Sequence, residues 1–451
     1  MSIKLFRPAS VLLLGFSTLF YEITDFSFME WIISFLALIV ILSFLPYLTP
    51  IPKTLIISLL GVSIILYTLN GSLYQAFMGF NMNASILMIF IFVPLLSIPI
   101  KAGNYLTYID QILSSYMKTT SLLYTLIKAS VLGVGSIMGM GTVPLIYHLT
   151  NTKLVEPYQL YQVTAIARGF SLSFLWSPYY ISIAFIISYF HVSWTDIVPF
   201  GLLLTLIGSL LGVLIIKGKY LEELNSNLDK TTINRKAKIK LIELACIIIF
   251  MTTISIIIDT QVELTMLNII SIIAIVMSLV WSLFYQSSKS YFKSLFTFTQ
   301  ERIPSMGNEL SLFIAAGVIG HAILIVEADH LITNFFYVVG INHVLIVIPI
   351  VSIVILFFSY IGVLSIVPIT VVSIALTSSP LFINDHLILA LGILLIWSIT
   401  VVSSPFSGVN LILSSLTKIS PFKIGIQYNL KFSLLFWLSG YMIILALYYV
   451  L

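Results

Sequence analysis

The chain has 451 residues, of which 59% are hydrophobic and 8% charged, with a formal net charge of +4 and a mean hydropathy of +1.12. That balance excludes a soluble globular domain, and no basic stripe interleaved with aromatics points to a nucleic-acid partner. A single cysteine, Cys246, leaves no intrachain disulfide and no thiolate metal cluster, and His148 has no second histidine at ligand spacing, so neither metal nor cofactor is expected.

Lys4 and Arg7 precede the first apolar run as in a signal peptide, but no small-residue cleavage site follows Phe20, so the run reads as a retained helix. A helix crosses the hydrocarbon in roughly 17 to 25 residues. Runs of that kind are predicted at 9–25, 29–48, 54–72, 85–100, 170–190 and 197–216, with a pair of shorter arms within 119–150. After the polar stretch 217–240 come 241–259, 264–284, 308–326, a second pair of arms within 343–379, and then 388–418 and 428–450. Alternating ten-residue strand patterns are absent, so the fold class is an all-α polytopic bundle and not a barrel. Eleven spans and two re-entrant hairpins result.

The basic residues of 217–240 (Lys217, Lys219, Lys230, Arg235, Lys236, Lys238 and Lys240) mark that linker as cytoplasmic. Lys53, Lys153, Arg168, Lys289, Lys293 and Arg302 fall on the same side, and Glu22, Asp25, Asp259, Glu263 and Asp385 on the other. This holds only if each pair of arms enters and leaves on one face. The N-terminus is then cytoplasmic, the C-terminus external, and the hairpins open to opposite sides, the arrangement of an inverted repeat. A shift of 227 residues lays Ser177-Pro178 on Ser404-Pro405, Val192-Ser193 on Ile419-Ser420 and Ile197 on Ile424; a shift of 224 lays Val143-Pro144 on Val367-Pro368. Residues 1–28 form an unpaired first helix, and 29–216 and 241–451 the two copies. Each copy has an amphipathic connector (102–118 and 328–341), a hairpin, a broken helix (170–190 and 388–418) and a final helix.

Four interruptions fall inside apolar runs: "GVGSIMGMGTVP" (Gly133 to Pro144), "WSPYY" (Trp176 to Tyr180), "FSYIGVLSIVP" (Phe358 to Pro368) and "VVSSPFSGVN" (Val401 to Asn410). Unwound backbone survives in a bilayer only where it is buried in protein or lines a cavity. Glycine permits a tight tip and proline removes an internal hydrogen bond, so each interruption frees carbonyls and amides. Half-helix N-termini then face an anion, while freed carbonyls hold Na⁺. The glycine string is not a dinucleotide fingerprint, because no strand precedes it.

These segments resemble the ion transporter superfamily, particularly its divalent anion/sodium symporters. That family carries hairpins with S-N-T tips and helices unwound at T-P-P-N-like turns. "WSPYYISI" and "SSPFSGVNLIL" stand where the turns belong, "GSIMGMGTVPLI" and "SYIGVLSIVPIT" where the tips belong, and "LSLFIAAGVIGHAI" resembles the Gly-rich helix before the outer hairpin. Neither S-N-T is present. The resemblance implies an elevator-type inverted-repeat fold, homodimerisation, and a substrate site built from Ser136, Thr142, Ser177, Tyr179, Tyr180, Ser359, Tyr360, Ser365, Ser404, Ser407 and Asn410. For a coupling Na⁺ or H⁺ the candidates are Gly139, Gly141, Gly362, Ser403 and His321. His321 is included because an ionisable group in mid-membrane is a functional suspect.

Arg168 and Lys128 read as snorkelling anchors, with Arg168 also a possible counter-charge to an anion. Glu309 and Glu327 bracket their helix at opposite interfaces. The expected function is secondary active transport of a small anionic solute across the cytoplasmic membrane. Two alternatives are a membrane-embedded enzyme handling lipid-linked intermediates, disfavoured by the lack of gathered titratable groups, and the membrane subunit of a multi-component importer.

Overall fold

The computed structural model describes residues 3–116, 119–151, 155–217, 235–326, 338 and 343–450. Most of the linker 217–240, the connector 328–341 apart from residue 338, Lys153 and Glu327 lie outside the described residues. Among the described residues the elements are all helical.

The chain begins with α1 (Ile3–Thr24), α2 (Phe28–Phe44) and α3 (Pro50–Asn70). Then α4 (Leu73–Met78), α5 (Ala84–Phe92) and α6 (Ser97–Ala102) are joined by single 3-10 turns into one apolar stretch, Leu73–Ala102, longer at its start than hydropathy predicts. The connector α7 (Tyr105–Tyr116) leads to the first hairpin, α8 (Thr120–Met138) and α9 (Thr142–Thr150). The first broken helix follows as α10 (Gln159–Ser173) and α11 (Ile181–Phe190), and α12 (Trp194–Lys217) closes this half.

The second half runs through α13 (Arg235–Gln261), α14 (Met266–Leu283), α15 (Ser288–Ser305) and α16 (Gly307–Ile325). Its hairpin is α17 (Val344–Tyr360) and α18 (Ile366–Thr377), and its broken helix α19 (His386–Ser403) and α20 (Gly408–Thr417). A π-helical turn, Lys423–Tyr428, leads into α21 (Leu430–Tyr448). The returning arms α9 and α18 have 9 and 12 residues, too few for a hydrocarbon core that takes about 20. Among the described residues, the two glycines with positive φ, Gly139 (57°) and Gly362 (104°), sit one at each tip, where a side chain would strain the turn.

Ten stretches of the described chain are long and apolar enough to cross a membrane. They differ from the expected eleven because α1, carrying Arg7 and Glu22, and the short halves α10 and α11 are not among them, whereas α8 with α9 counts once. The stretch carrying Lys289, Lys293 and Arg302 is a helix, not a loop. Ser287 accepts from the Ser290 amide at 3.3 Å to start it, and Tyr291, Leu295, Phe298 and Arg302 recur on one face.

The shift of 227 residues is visible in local structure: α10 and α19 begin 227 apart, as do α11 and α20, which also end 227 apart. Both short helices finish at a left-handed residue, His191 (φ 53°) and Lys418 (φ 61°). Each hairpin's first arm packs along its own broken helix, α8 on α10 and α17 on α19, and its second arm reaches the other half's as well as its own, α9 on α20 and α10, α18 on α11 and α19. The long halves cross where Ser398 Oγ donates to the Ser171 carbonyl at 2.8 Å.

Glycine sets how closely the next helix approaches each break. A Cβ on Gly201 of α12 would stand 2.0 Å from the Leu175 carbonyl oxygen, and one on Gly425 of the π turn 2.4 Å from that of Ser403. Gly201→Ala is therefore expected to lose about 1–3 kcal/mol by overpacking. Gly61→Ala, with nothing within 4 Å, is the control that stays folded. Thermal unfolding of the two detergent-purified variants, followed by tryptophan fluorescence, checks this.

Candidate functional site

Two helix breaks and two hairpin tips meet in the protein interior, and serine side chains tie each break to a tip. Ser177 Oγ donates to the Ser136 carbonyl at 2.8 Å, and Ser404 Oγ to the Ser359 carbonyl at 2.7 Å. Both acceptors lie in the last turn of a hairpin's first arm, where helix carbonyls run out of intrahelical donors. The same serine oxygens accept from the amide two residues on, Tyr179 at 3.3 Å and Phe406 at 3.2 Å. Proline follows each serine and fits there because its missing N–H costs nothing in an unwound turn.

The carbonyls freed by the breaks are capped from within. Ser182 Oγ donates to the Phe174 carbonyl (2.7 Å) and Trp194 Nε1 to that of Trp176 (3.0 Å). In the second half Asn410 Nδ2 donates to both the Val402 (3.0 Å) and Ser404 (2.8 Å) carbonyls. The unwound segments are correspondingly short. Gly133 and Gly135 remain helical, and the first tip is only the 3-10 turn Gly139–Gly141.

In front of this knot lie a cavity of about 280 Å³ and a smaller one of about 110 Å³, sharing Phe90, Met140, Phe174, Ile181 and Glu309 as walls. Of the residues expected from sequence, Gly139, Gly141, Tyr179 and Tyr180 line the larger cavity and Ser365, Ser404 and Ser407 the smaller. Ser136, Ser177, Ser359, Ser403 and Asn410 are buried behind them, as is Thr142, whose Oγ1 has no hydrogen-bond partner. Tyr360 and Gly362 belong to the second tip but line neither cavity, and Ser359 Oγ lies 3.1 Å from Ser365 Oγ. His321 is not brought to the group: its Nδ1 lies 2.8 Å from Tyr67 OH on α3. Helices α9, α11, α18 and α20 all start at this junction, so four positive dipole ends converge on it.

Sequence reasoning missed both charges of the larger cavity. Arg302, assigned to a cytoplasmic loop, comes from the inward face of α15, and its guanidinium lies 3.7 Å from where a Cβ on Gly141 would stand. The stripe it shares with Tyr291, Leu295 and Phe298 was the available signal. Glu309, expected at an interface, lines both cavities from the first turn of α16, with Oε2 buried and without a hydrogen-bond partner. Arg302 also borders a recess of about 550 Å³ walled by Lys101, Lys293, Glu301 and several hydroxyls.

The anchors expected at Arg168 and Lys128 are instead buried, at 2% and 4% exposure. Arg168 Nε donates to Asn429 Oδ1 (2.8 Å), an NH2 group donates to the Tyr428 carbonyl (3.0 Å), and the guanidinium stacks 4.7 Å from the Phe432 ring centroid. Lys128 Nζ donates to the Ser209 carbonyl at 2.7 Å. These cations brace α8 against α12 and α10 against the π turn and α21 through backbone carbonyls, Ser209 within α12 and Tyr428 in the π turn. Among the described residues no cluster of three His, Cys, Asp or Glu groups occurs.

No protein-family model matches the chain, and no curated protein sequence matches it. Among solved structures it is similar to the YdaH transporter of Alcanivorax borkumensis, described as having an unusual topology, with 14% identity and a TM-score of 0.60 over 88% of this chain and 98% of that one. The likeness is one of fold. This chain is an integral membrane protein with the fold of a transporter.

Because Ser177 and Ser404 each satisfy a buried tip carbonyl, Ser177→Ala and Ser404→Ala are each expected to lose about 1–3 kcal/mol of stability, not merely ligand affinity. A fall in the melting temperature of both purified variants checks it. An unchanged temperature in either contradicts the role given to that serine.

Proposed function

We propose that the protein is a secondary transporter of a small organic anion with an apolar body. The observation that carries this is Arg302: it donates no hydrogen bond among the described residues, yet it faces a cavity whose walls are mostly Phe, Met, Ile and Pro. A guanidinium binds carboxylate or sulfonate through paired charge-assisted hydrogen bonds, and the helix N-termini beside it favour the same sign of charge. The apolar walls suit the rest of such a molecule.

The resemblance to the ion transporter superfamily supports an inverted-repeat reading, with the tips and broken helices as the part that carries the ligand and α15 and α16 as part of the frame. In this reading the recess beside Lys101 and Lys293 opens to the cytoplasm, because Lys293 falls on the side assigned by the positive-inside rule. Movement of the tip block past Arg302 would then expose the ligand on the other face. Homodimerisation belongs to the same reading.

Benzoate and its neutral counterpart benzamide separate charge recognition from simple apolar filling. Benzoate is expected to raise the melting temperature of the purified protein, and benzamide to leave it unchanged. In Arg302→Gln the benzoate effect should vanish, corresponding to at least about tenfold weaker binding, roughly 1.4 kcal/mol. Equal stabilisation by benzamide would count against an anion site.

A further inference from the structure

The cavity between the tips holds one carboxylate as well as one guanidinium, and the two do not form an ion pair. Lys240 forms an ion pair with Glu243 at 2.8 Å, far along the chain from this site. Arg302 and Glu309 attract each other across the cavity without contact. Glu309 Oε2 is buried and has no donor. The carboxylate accepts from the backbone amide of Glu309 itself at the start of α16, but that contact leaves Oε2 buried without a donor, and a buried unpartnered oxygen needs an explanation.

Charge bookkeeping supplies one. With both groups ionised the cavity is neutral, +1 from Arg302 and −1 from Glu309; an added anion would then leave a net negative charge against apolar walls. Burying such a charge costs several kcal/mol unless something neutralises it. Tyr179 and Tyr180 are the other titratable groups in the walls, and neither carries charge that a bound anion could displace. On the helices packed against α16 the charged groups are Glu30 of α2, Lys53 of α3, and Lys289, Lys293, Glu301 and Arg302 of α15; of these, Arg302 acts electrostatically on Glu309. His321 and Tyr67 pair with each other further along α16.

Taking anion transport as its premise, we propose that Glu309 is the proton site linked to the anion: as the anion pairs with Arg302, Glu309 takes one proton from solvent on its carboxylate, so anion binding and protonation occur together. Glu309 lines both cavities, so a ligand filling the space between the tips reaches it whichever end it enters. The proton bound at its carboxylate restores neutrality, and Glu309 gives that proton back to solvent as the anion leaves Arg302. The sign follows: anion affinity falls as pH rises through the titration of Glu309, by about tenfold per pH unit above it.

Calorimetric titration of the purified full chain with benzoate, in two buffers of different ionisation enthalpy, reads proton uptake directly. The wild type should take up close to one proton per benzoate above the Glu309 titration. Glu309→Gln, which resembles the protonated acid, should bind benzoate with no uptake and with affinity independent of pH. Glu309→Asp should retain the uptake, so a folding defect in the Gln variant does not leave the question open. Uptake unchanged in Glu309→Gln, or absent in the wild type, overturns the proposal. If benzoate binds neither protein, the anion reading is what fails, and infrared titration decides Glu309 separately. A carboxylic C=O band that titrates in the wild type and is missing in Glu309→Gln supports the proton site; its absence from the wild type overturns it.

Discussion

In hydrocarbon an unwound helix can keep its backbone groups satisfied only by borrowing partners from elsewhere in the protein, and that constraint organises the interior of this molecule. The two Ser-Pro breaks solve it in the same way: each serine hydroxyl reaches a carbonyl at the end of a hairpin arm while its oxygen receives an amide from its own turn. Break and tip are thereby one unit. The cross-packing of each returning arm on the other half's broken helix, with the Ser398–Ser171 bond at the crossing, joins the two units into a single block.

Once the breaks satisfy their own carbonyls, the block presents helix N-termini and few free side-chain donors to the cavity. Formal charge comes from the opposite wall, where Arg302 ends α15 and Glu309 begins α16 on either side of the turn at Met306. This division has a physical logic. Dipole ends hold an anion without themselves changing protonation, whereas a guanidinium and a carboxylate supply the full charges whose balance determines what can enter a low-dielectric space. The recess beyond Arg302, with Lys101 and Lys293 on its rim against Glu301, extends the positive field outward and would raise local anion concentration.

The two breaks are similar but not interchangeable. At the first break Tyr179 and Tyr180 turn rings toward the larger cavity, while at the second Phe406 and Ser407 border the smaller. Carbonyl capping differs too, by the hydroxyl of Ser182 and the indole of Trp194, one carbonyl each, in one half and by the amide of Asn410, which serves two carbonyls, in the other. Asn410, a candidate ligand at the second turn by sequence, is thus occupied in holding the turn together. Its amide nitrogen is committed to backbone before any ligand arrives.

Hydropathy, loop charge and the spacing of Gly and Pro by themselves determined that the chain is a polytopic helical bundle, where its helices break, and the shift of 227 residues at which the halves correspond. These are local or periodic properties, written in residue type and interval. They do not carry the direction in which a side chain points once helices pack. Thus Ser136, Ser177, Ser359 and Asn410 were recognisable as polar groups at breaks, but only packing decided that they face backbone and not ligand. Arg302 looked like any loop cation until the inward face of α15 brought it beside Gly141, and Arg168 looked like an anchor until the π turn and α21 enclosed it. Which charges share a cavity depends on contacts between helices distant in sequence, and only the tertiary structure sets those contacts.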